Sequence, residues 1–101
     1  MNRPTVGIAF EQILVSNSVQ ILTPSNYIDT PSFIGASEAF LSNYGANIVY
    51  TYDGTLPSST IGHVLPDGGT LVLRGKQQIA SFKCHAQGEV TSMLSITYER
   101  E

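Results

Sequence analysis

Hydrophobic and polar residues alternate with a period of two along much of the chain, as in β-strands that bury one face. Near the start, the segments 13–16 and 19–22 both alternate in this way and flank Asn17-Ser18, a pair that favours turns. These segments predict an early β-hairpin. The next segment, residues 23–32, contains two prolines and several turn-forming residues, so it predicts a surface loop.

The segment "FIGASEAFLSNYGAN", residues 33–47, carries two competing periodicities. Phe33, Ala36, Ala39 and Phe40 have helical spacing, whereas Gly35 and the β-rich neighbourhood favour a strand. We interpret this segment as a strand, with a helix as the alternative.

The strand pattern is clearer in the next segment. Ile48, Tyr50 and Tyr52 fall on one face of a predicted strand. The Asp53-Gly54 pair that follows favours a hairpin turn or a bulge, because both residues tolerate the left-handed backbone that such turns require.

The remainder of the chain predicts further strands at 61–65, 70–74, 79–85 and 93–98, with turns at Pro66–Gly69 and Gly75-Lys76. Seven or eight short strands, and no segment with a clear helical pattern, predict an all-β fold. We expect a small antiparallel β-sandwich or jelly-roll-like domain over residues 11–101. Residues 1–10 have few partners in such a domain, so we expect an extended N-terminal arm that docks on a neighbouring molecule.

Composition narrows the classes of function. The 101 residues fit one domain, and only 13% are charged, about half of the roughly 25% usual for soluble domains. The five Lys and Arg residues are scattered, which argues against nucleic-acid binding. No apolar run is long enough to span a bilayer, and the N-terminus lacks the features of a signal peptide. The single cysteine, Cys84, excludes an intramolecular disulfide and fits folding in a reducing cytoplasm.

The acidic residues predict turns and not catalysis or metal binding. A calcium loop needs several oxygen ligands in one segment, and a glycosidase needs two facing carboxyl groups. Here each aspartate stands alone beside turn-forming residues, so we predict that Asp53 accepts hydrogen bonds from its own turn. The predicted structural turn residues are Asp53, Gly54, Pro57, Asp67, Gly68 and Gly69.

Cys84 and His85 are adjacent, but neighbours on a strand point to opposite faces and cannot form a catalytic pair. Cys84 belongs to the alternating apolar run from Ala80 to Ala86, so we predict Cys84 in the core and His85 facing solvent or a partner. We expect no enzyme activity, no metal and no other cofactor.

The predicted interface residues are Tyr44, Tyr52, His63 and His85. Tyrosine suits an interface because its ring is apolar and its hydroxyl favours a wet rim. The alternative is a carbohydrate-binding or adhesion module in which Tyr44 and Tyr52 lie side by side and stack against sugar rings.

Two resemblances bear on function. The run "NIVYTYDGTLP", Asn47–Pro57, resembles the hairpin of a small β-sandwich domain at the C-terminus of some chitobiases, an accessory domain without catalytic residues. The wider resemblance is to small structural proteins of tailed bacteriophages. It rests on that run together with "LTPSNY" (22–27), "GHVL" (62–65), "GTLVL" (69–73), "IASFK" (79–83) and "LSITY" (94–98), in this order. The chain departs from the family at Cys84-His85, where a small apolar residue and isoleucine are usual.

The phage resemblance implies a non-enzymatic virion structural protein that is assembled in the host cytoplasm. The expected role is a capsid decoration or cement protein, a dimer or trimer that binds other virion proteins. A head–tail or tail accessory protein and a glycan-binding module are the alternatives.

Overall fold

The computed structural model describes residues 6–31 and 35–100, which form two antiparallel four-stranded sheets. The strands are β1 (Val6–Val15), β2 (Gln20–Ile21), β3 (Glu38–Tyr44), β4 (Ile48–Thr51), β5 (His63–Leu65), β6 (Thr70–Arg74), β7 (Lys83–Ala86) and β8 (Ser92–Arg100). The first sheet has the strand order β1-β8-β3-β6, and the second has the order β2-β7-β4-β5. The prediction of a small all-β sandwich is confirmed.

The core lies between the two sheets. It consists of the inward-facing side chains, which are every second residue along each strand. The first sheet contributes Leu41, Ile96 and Tyr98, each with no exposed area, and the second contributes Ile48 and Cys84, each at most 1% exposed. Because a strand places successive side chains on opposite faces, these buried positions fix which residues of each strand face outward.

Within the segment 33–47, residues Glu38–Tyr44 form strand β3, so the strand interpretation is confirmed over the helical alternative. Ala39 and Leu41 point into the core, while Phe40 between them is 40% exposed. Phe33, one of the residues with helical spacing, lies outside the described residues.

The predicted early hairpin is wrong. β1 pairs with β8 in the first sheet, whereas β2 pairs with β7 in the second, so the Asn17-Ser18 turn carries the chain from one sheet to the other. Local alternation cannot distinguish these two outcomes, because both place a turn between two strands that each bury one face.

The predicted strand at 79–85 is also partly wrong. Residues Lys76–Ser81 form a short α-helix, α1, and the strand β7 begins only at Lys83. Within this helix Ile79 is buried and Ala80 is exposed. The alternating apolar run that was predicted from Ala80 onwards therefore begins at Phe82. The sequence Lys-Gln-Gln-Ile-Ala consists mostly of residues with good helix propensity, which competes with the period-two pattern.

The predicted N-terminal arm covers residues 1–10. Residues 6–10 form the first half of β1 and pair with β8, from Val6 opposite Arg100 to Phe10 opposite Thr97. Residues 1–5 lie outside the described residues.

A polar cluster at Glu11 joins β1, β8 and the connection after β2. The Glu11 carboxylate accepts hydrogen bonds from the Tyr98 hydroxyl (2.6 Å), the Asn26 side-chain amide (2.6 Å), and the hydroxyl and backbone N–H of Thr23 (2.8 and 3.3 Å). Tyr27 stacks on Tyr98 with ring centroids 6.1 Å apart. The segment "LTPSNY" is therefore a structural corner, in which Thr23 just before a short 3-10 helix (Pro24–Asn26) and Asn26 at its end both donate to Glu11.

Candidate interaction surfaces

The outer face of the first sheet carries apolar side chains where an antiparallel sheet usually carries polar ones. The strand register places its outward side chains in rows that run across the strands. One row consists of Phe10, Thr97, Phe40 and Val72, and another consists of Leu14, Met93 and Tyr44. Between them lies a polar row of Gln12, Ser95, Ser42 and Thr70, in which the Gln12 amide donates to the Ser95 hydroxyl at 3.1 Å.

We call these two apolar rows and the polar row between them the apolar outer face. Its five most exposed apolar side chains are Tyr44 (78%), Phe10 (61%), Leu14 (59%), Phe40 (40%) and Val72 (40%). Their exposed parts amount to about 450 Å², taking ~200 Å² for a whole aromatic and ~100 Å² for a whole aliphatic side chain. This total lies within the roughly 300–600 Å² that the largest apolar patch of a monomeric protein covers, and such patches are often functional.

On the outer side of this sheet, the charged side chains of β3, β6 and β8 lie at one end. Glu38 pairs in register with both Glu99 and Arg74, in the row beyond Phe40. The apolar outer face itself contains no charged side chain, because its polar row consists only of hydroxyl and amide groups. A surface of this composition matches the core of a protein–protein interface, where charged residues are depleted and aromatic residues enriched.

The outer face of the second sheet is different. Its exposed apolar residues Ile21 and Val64 lie on the two opposite edge strands, β2 and β5. Lys83 and His85 lie on β7, between those edges. The second sheet therefore has isolated apolar side chains instead of a continuous patch.

The predicted interface residues fall at three separate places. Tyr44 belongs to the apolar outer face, whereas Tyr52 and His63 lie at the β4–β5 edge of the second sheet, with ring centroids 6.0 Å apart. Tyr44 thus lies in the first sheet, whereas Tyr52 directly follows strand β4 of the second, so they do not form the side-by-side pair that the carbohydrate alternative required. His85 faces outward from β7 next to Val49, and its Nδ1 atom lies 2.9 Å from the carbonyl oxygen of Ala86.

Cys84 lies in the core, as predicted, on the opposite side of β7 from His85. The side chain is 1% exposed, and burial raises the pKa of its thiol to about 12. Such a thiol is protonated at neutral pH and is a poor nucleophile.

Tyr52 borders an open cleft of about 360 Å³, which we call the Tyr52 cleft. The cleft lies where the long connection between β4 and β5, residues 52–62, folds back against β4. Its other lining residues include Asp53, Thr55, Ile61, Gly62 and His63. Tyr50 connects this edge of the sheet to the core. Its ring centroid lies 6.3 Å from that of Tyr52, 5.5 Å from that of His63 and 5.8 Å from that of the buried Phe82.

The predicted turn residues have structural roles. Asp53 Oδ1 accepts a hydrogen bond from the Thr55 backbone N–H at 3.0 Å, as predicted, and this bond is the main reason that the pKa of Asp53 lies below its ordinary value. Asp67 Oδ1 accepts from the Gly45 N–H at 2.8 Å. Gly68 has a φ of 83°, and the Gly69 N–H closes the turn on the Pro66 carbonyl at 2.8 Å. Pro57 is buried within the β4–β5 connection.

The Asp53-Gly54 turn does not close a tight hairpin. β4 does pair with β5, but eleven residues, Tyr52–Gly62, separate the two strands. Gly54 has a φ of 91°, as the turn interpretation requires. The turn bends the chain away from the sheet and so creates the connection that lines the Tyr52 cleft.

Sequence reasoning missed the apolar outer face apart from Tyr44. The sequence does carry a signal for this face. In three strands, apolar residues occupy both alternating sets of positions, as Phe40 does between Ala39 and Leu41 in β3. Once Leu41 is assigned to the core, Phe40 must face outward, and the same holds for Val72 beside Leu73.

Among residues 6–31 and 35–100, no three or more His, Cys, Asp or Glu side chains come together where they could hold a metal ion. In the same part of the chain, no helix is both long enough and apolar enough to span a membrane. In comparisons with known proteins, the chain matches no family model, no curated protein and no solved structure.

Proposed function

We propose that this protein is a non-catalytic structural protein that assembles through protein–protein contacts, and that copies of the chain associate through the apolar outer face. The observation that carries this proposal is the arrangement of apolar side chains in two rows on the outside of a sheet. Removing these apolar side chains from water favours association without a preferred direction, and the gain in free energy is proportional to the apolar area that is buried.

A second copy of the chain fits the pattern of this face. A two-fold axis along the polar row would place the Phe40 row of one copy against the Tyr44 row of the other, and the polar rows against each other. The charged row at Glu38 would then lie at the rim. Because the face is neutral, two copies would not repel each other there.

The size of the face supports the same partner. A standard interface buries about 800 Å² on each partner, of which somewhat more than half is apolar. The ~450 Å² of exposed apolar side chains matches that share, and the hydroxyl and amide row would supply the remaining polar area.

The proposed setting is the particle of a tailed bacteriophage, as a decoration or cement protein of the capsid. The support for this setting is the ordered series of motifs in the sequence from "LTPSNY" to "LSITY". An oligomer binds a shell through several sites at once, so its avidity exceeds the affinity of one subunit. A protein that binds only the assembled shell stabilises it by about 2.7 kcal/mol per site when its concentration is a hundredfold above Kd.

Co-sedimentation with virus particles tests this function. Purified protein is added to particles of the virus that encodes it, and bound protein is quantified after density-gradient sedimentation. We expect wild type and Val64→Lys to bind, and Val72→Lys to bind much less. The two variants carry the same substitution in edge strands, but only Val72 lies on the apolar outer face. Absence of the wild-type protein from the particle fractions would refute the role in the virion.

A further inference from the structure

We propose that the Tyr52 cleft binds a neutral saccharide, with one sugar ring stacked against Tyr52. This site lies on the second sheet and is independent of the apolar outer face. It relocates the carbohydrate hypothesis from a Tyr44–Tyr52 pair to Tyr52 together with the residues that surround it.

Tyr52 stands between two depressions. One is the Tyr52 cleft, and the other is a smaller depression of about 260 Å³ that is lined by Gln77, Gln78 and Ser81 of α1. Tyr52 and Asp53 border both depressions, and Tyr52 is 39% exposed. A ligand longer than one ring can therefore cross Tyr52 and occupy both sides.

The chemistry around Tyr52 matches the two kinds of surface on a sugar. The apolar C–H face of a pyranose can stack on the Tyr52 ring and contact Ile61, which is 50% exposed. Asp53 uses Oδ1 in its turn, so Oδ2 can accept hydrogen bonds from sugar hydroxyl groups. Gln78 uses its Oε1 atom to accept from the Arg74 N–H at 2.7 Å, which leaves its NH2 group as a donor.

The same residues argue against other ligand classes. An anionic ligand would face the Asp53 carboxylate, and no lysine or arginine lines the described part of either depression. A quaternary ammonium ion is held best inside a box of roughly perpendicular rings. Here the Tyr50, Tyr52 and His63 planes differ by only 25° to 39°, so these rings do not form such a box.

The cleft is held in place without a ligand. Gly62 packs so closely on β4 that a Cβ atom would lie 2.6 Å from Val49 Cγ1, and its φ is 131°. The Ser58 N–H donates to the Ile61 carbonyl at 2.9 Å, and the Lys83 ammonium group donates to the Gly54 carbonyl at 3.2 Å. A preorganised site loses little conformational entropy on binding.

The test is a nuclear magnetic resonance titration of the full ¹⁵N-labelled chain with N,N′-diacetylchitobiose, a neutral disaccharide whose N-acetyl methyl group can contact Ile61. We expect saturable shifts at millimolar ligand in the amides of residues 53–56 and 61–63. Tyr52→Ala should weaken binding about tenfold or more. The control Val19→Ala, which replaces an exposed apolar residue outside both depressions and outside the apolar outer face, should bind as wild type does.

Asp53→Asn provides a second variant that keeps a side-chain oxygen for the turn but removes the charge. We expect it to remain folded and to bind several-fold more weakly. The proposal is overturned if millimolar disaccharide causes no saturable shifts, if Tyr52→Ala binds like wild type, or if choline shifts these amides and the disaccharide does not.

Discussion

The Glu11 cluster makes a strong prediction about stability. Replacing Glu11 with alanine removes the acceptor of four hydrogen bonds and leaves the buried Tyr98 hydroxyl without its 2.6 Å partner. Hydrogen bonds to a charged group contribute about 1.5–3 kcal/mol each, but Thr23 is exposed and Asn26 half-buried, so both can turn to water. We therefore expect a loss of about 2–3 kcal/mol, which lowers the Tm of a domain of this size by roughly 10–20 °C.

The effect should depend on pH in a definite direction. Burial favours the protonated form of Glu11, but the hydrogen bonds from Tyr98, Thr23 and Asn26 outweigh it, so the pKa lies below the ordinary value of 4.5. A lowered carboxyl pKa stabilises the fold above the unfolded-state pKa, and this contribution is lost as the pH falls through the folded-state pKa. The difference between wild type and Glu11→Ala should be full at neutral pH and shrink below pH 4.5.

Urea unfolding at neutral and acidic pH measures both effects, with Glu89→Ala as the control. Glu89 is an exposed glutamate in the turn before β8, and its replacement should change the free energy of unfolding by less than about 0.5 kcal/mol. If Glu11→Ala is as stable as the control, or if its deficit does not change between neutral and acidic pH, the role assigned to the cluster is wrong.

Three further predictions concern buried groups and close packing. Asn43→Ala should lower the free energy of unfolding, measured in urea titrations, by about 3 kcal/mol. The reason is that the buried Asn43 amide donates to the carbonyls of Ala46, Leu65 and Pro66 at 2.7 to 3.1 Å. A loss below about 1 kcal/mol would contradict this. Gly62→Ala should lower the Tm, since the new Cβ would overlap Val49 Cγ1, and an unchanged Tm in calorimetry would mean that the connection is not packed on β4. The Cys84 thiol, whose pKa burial raises to about 12, should resist iodoacetamide at pH 8 until urea unfolds the protein, whereas rapid labelling of the native protein would place Cys84 at the surface.

The sequence predicts much of this fold because the core depends on local alternation. Leu94, Ile96 and Tyr98 are placed on one face by spacing alone, and Asp53-Gly54 and Gly68 are identified by the backbone conformations that their turns need. Pairing between strands is a different matter. Whether β1 pairs with β2 or with β8 depends on contacts between residues far apart in sequence, which no local pattern contains.

The candidate sites were harder to predict for the same reason. The apolar outer face exists only because the register aligns Phe10, Phe40 and Val72 across three strands and places Thr97 between the two phenylalanines. The Tyr52 cleft depends on the path of a connection that returns to β4 and brings His63 to Tyr52. The sequence singles out tyrosine and histidine by residue type, but which of them lie together depends on the topology.

The solution mass of the purified protein, measured by size-exclusion chromatography with light scattering, tests the central claim most directly. A single chain has a mass of 10.9 kDa. We predict a dimer for wild type and for Val64→Lys, and a monomer for Phe40→Lys and Val72→Lys, with little change at higher salt because the face carries no charge. All four proteins should have the same circular dichroism spectrum. A wild-type monomer at high concentration, or dimers that persist in both Phe40→Lys and Val72→Lys, would contradict self-association through this face.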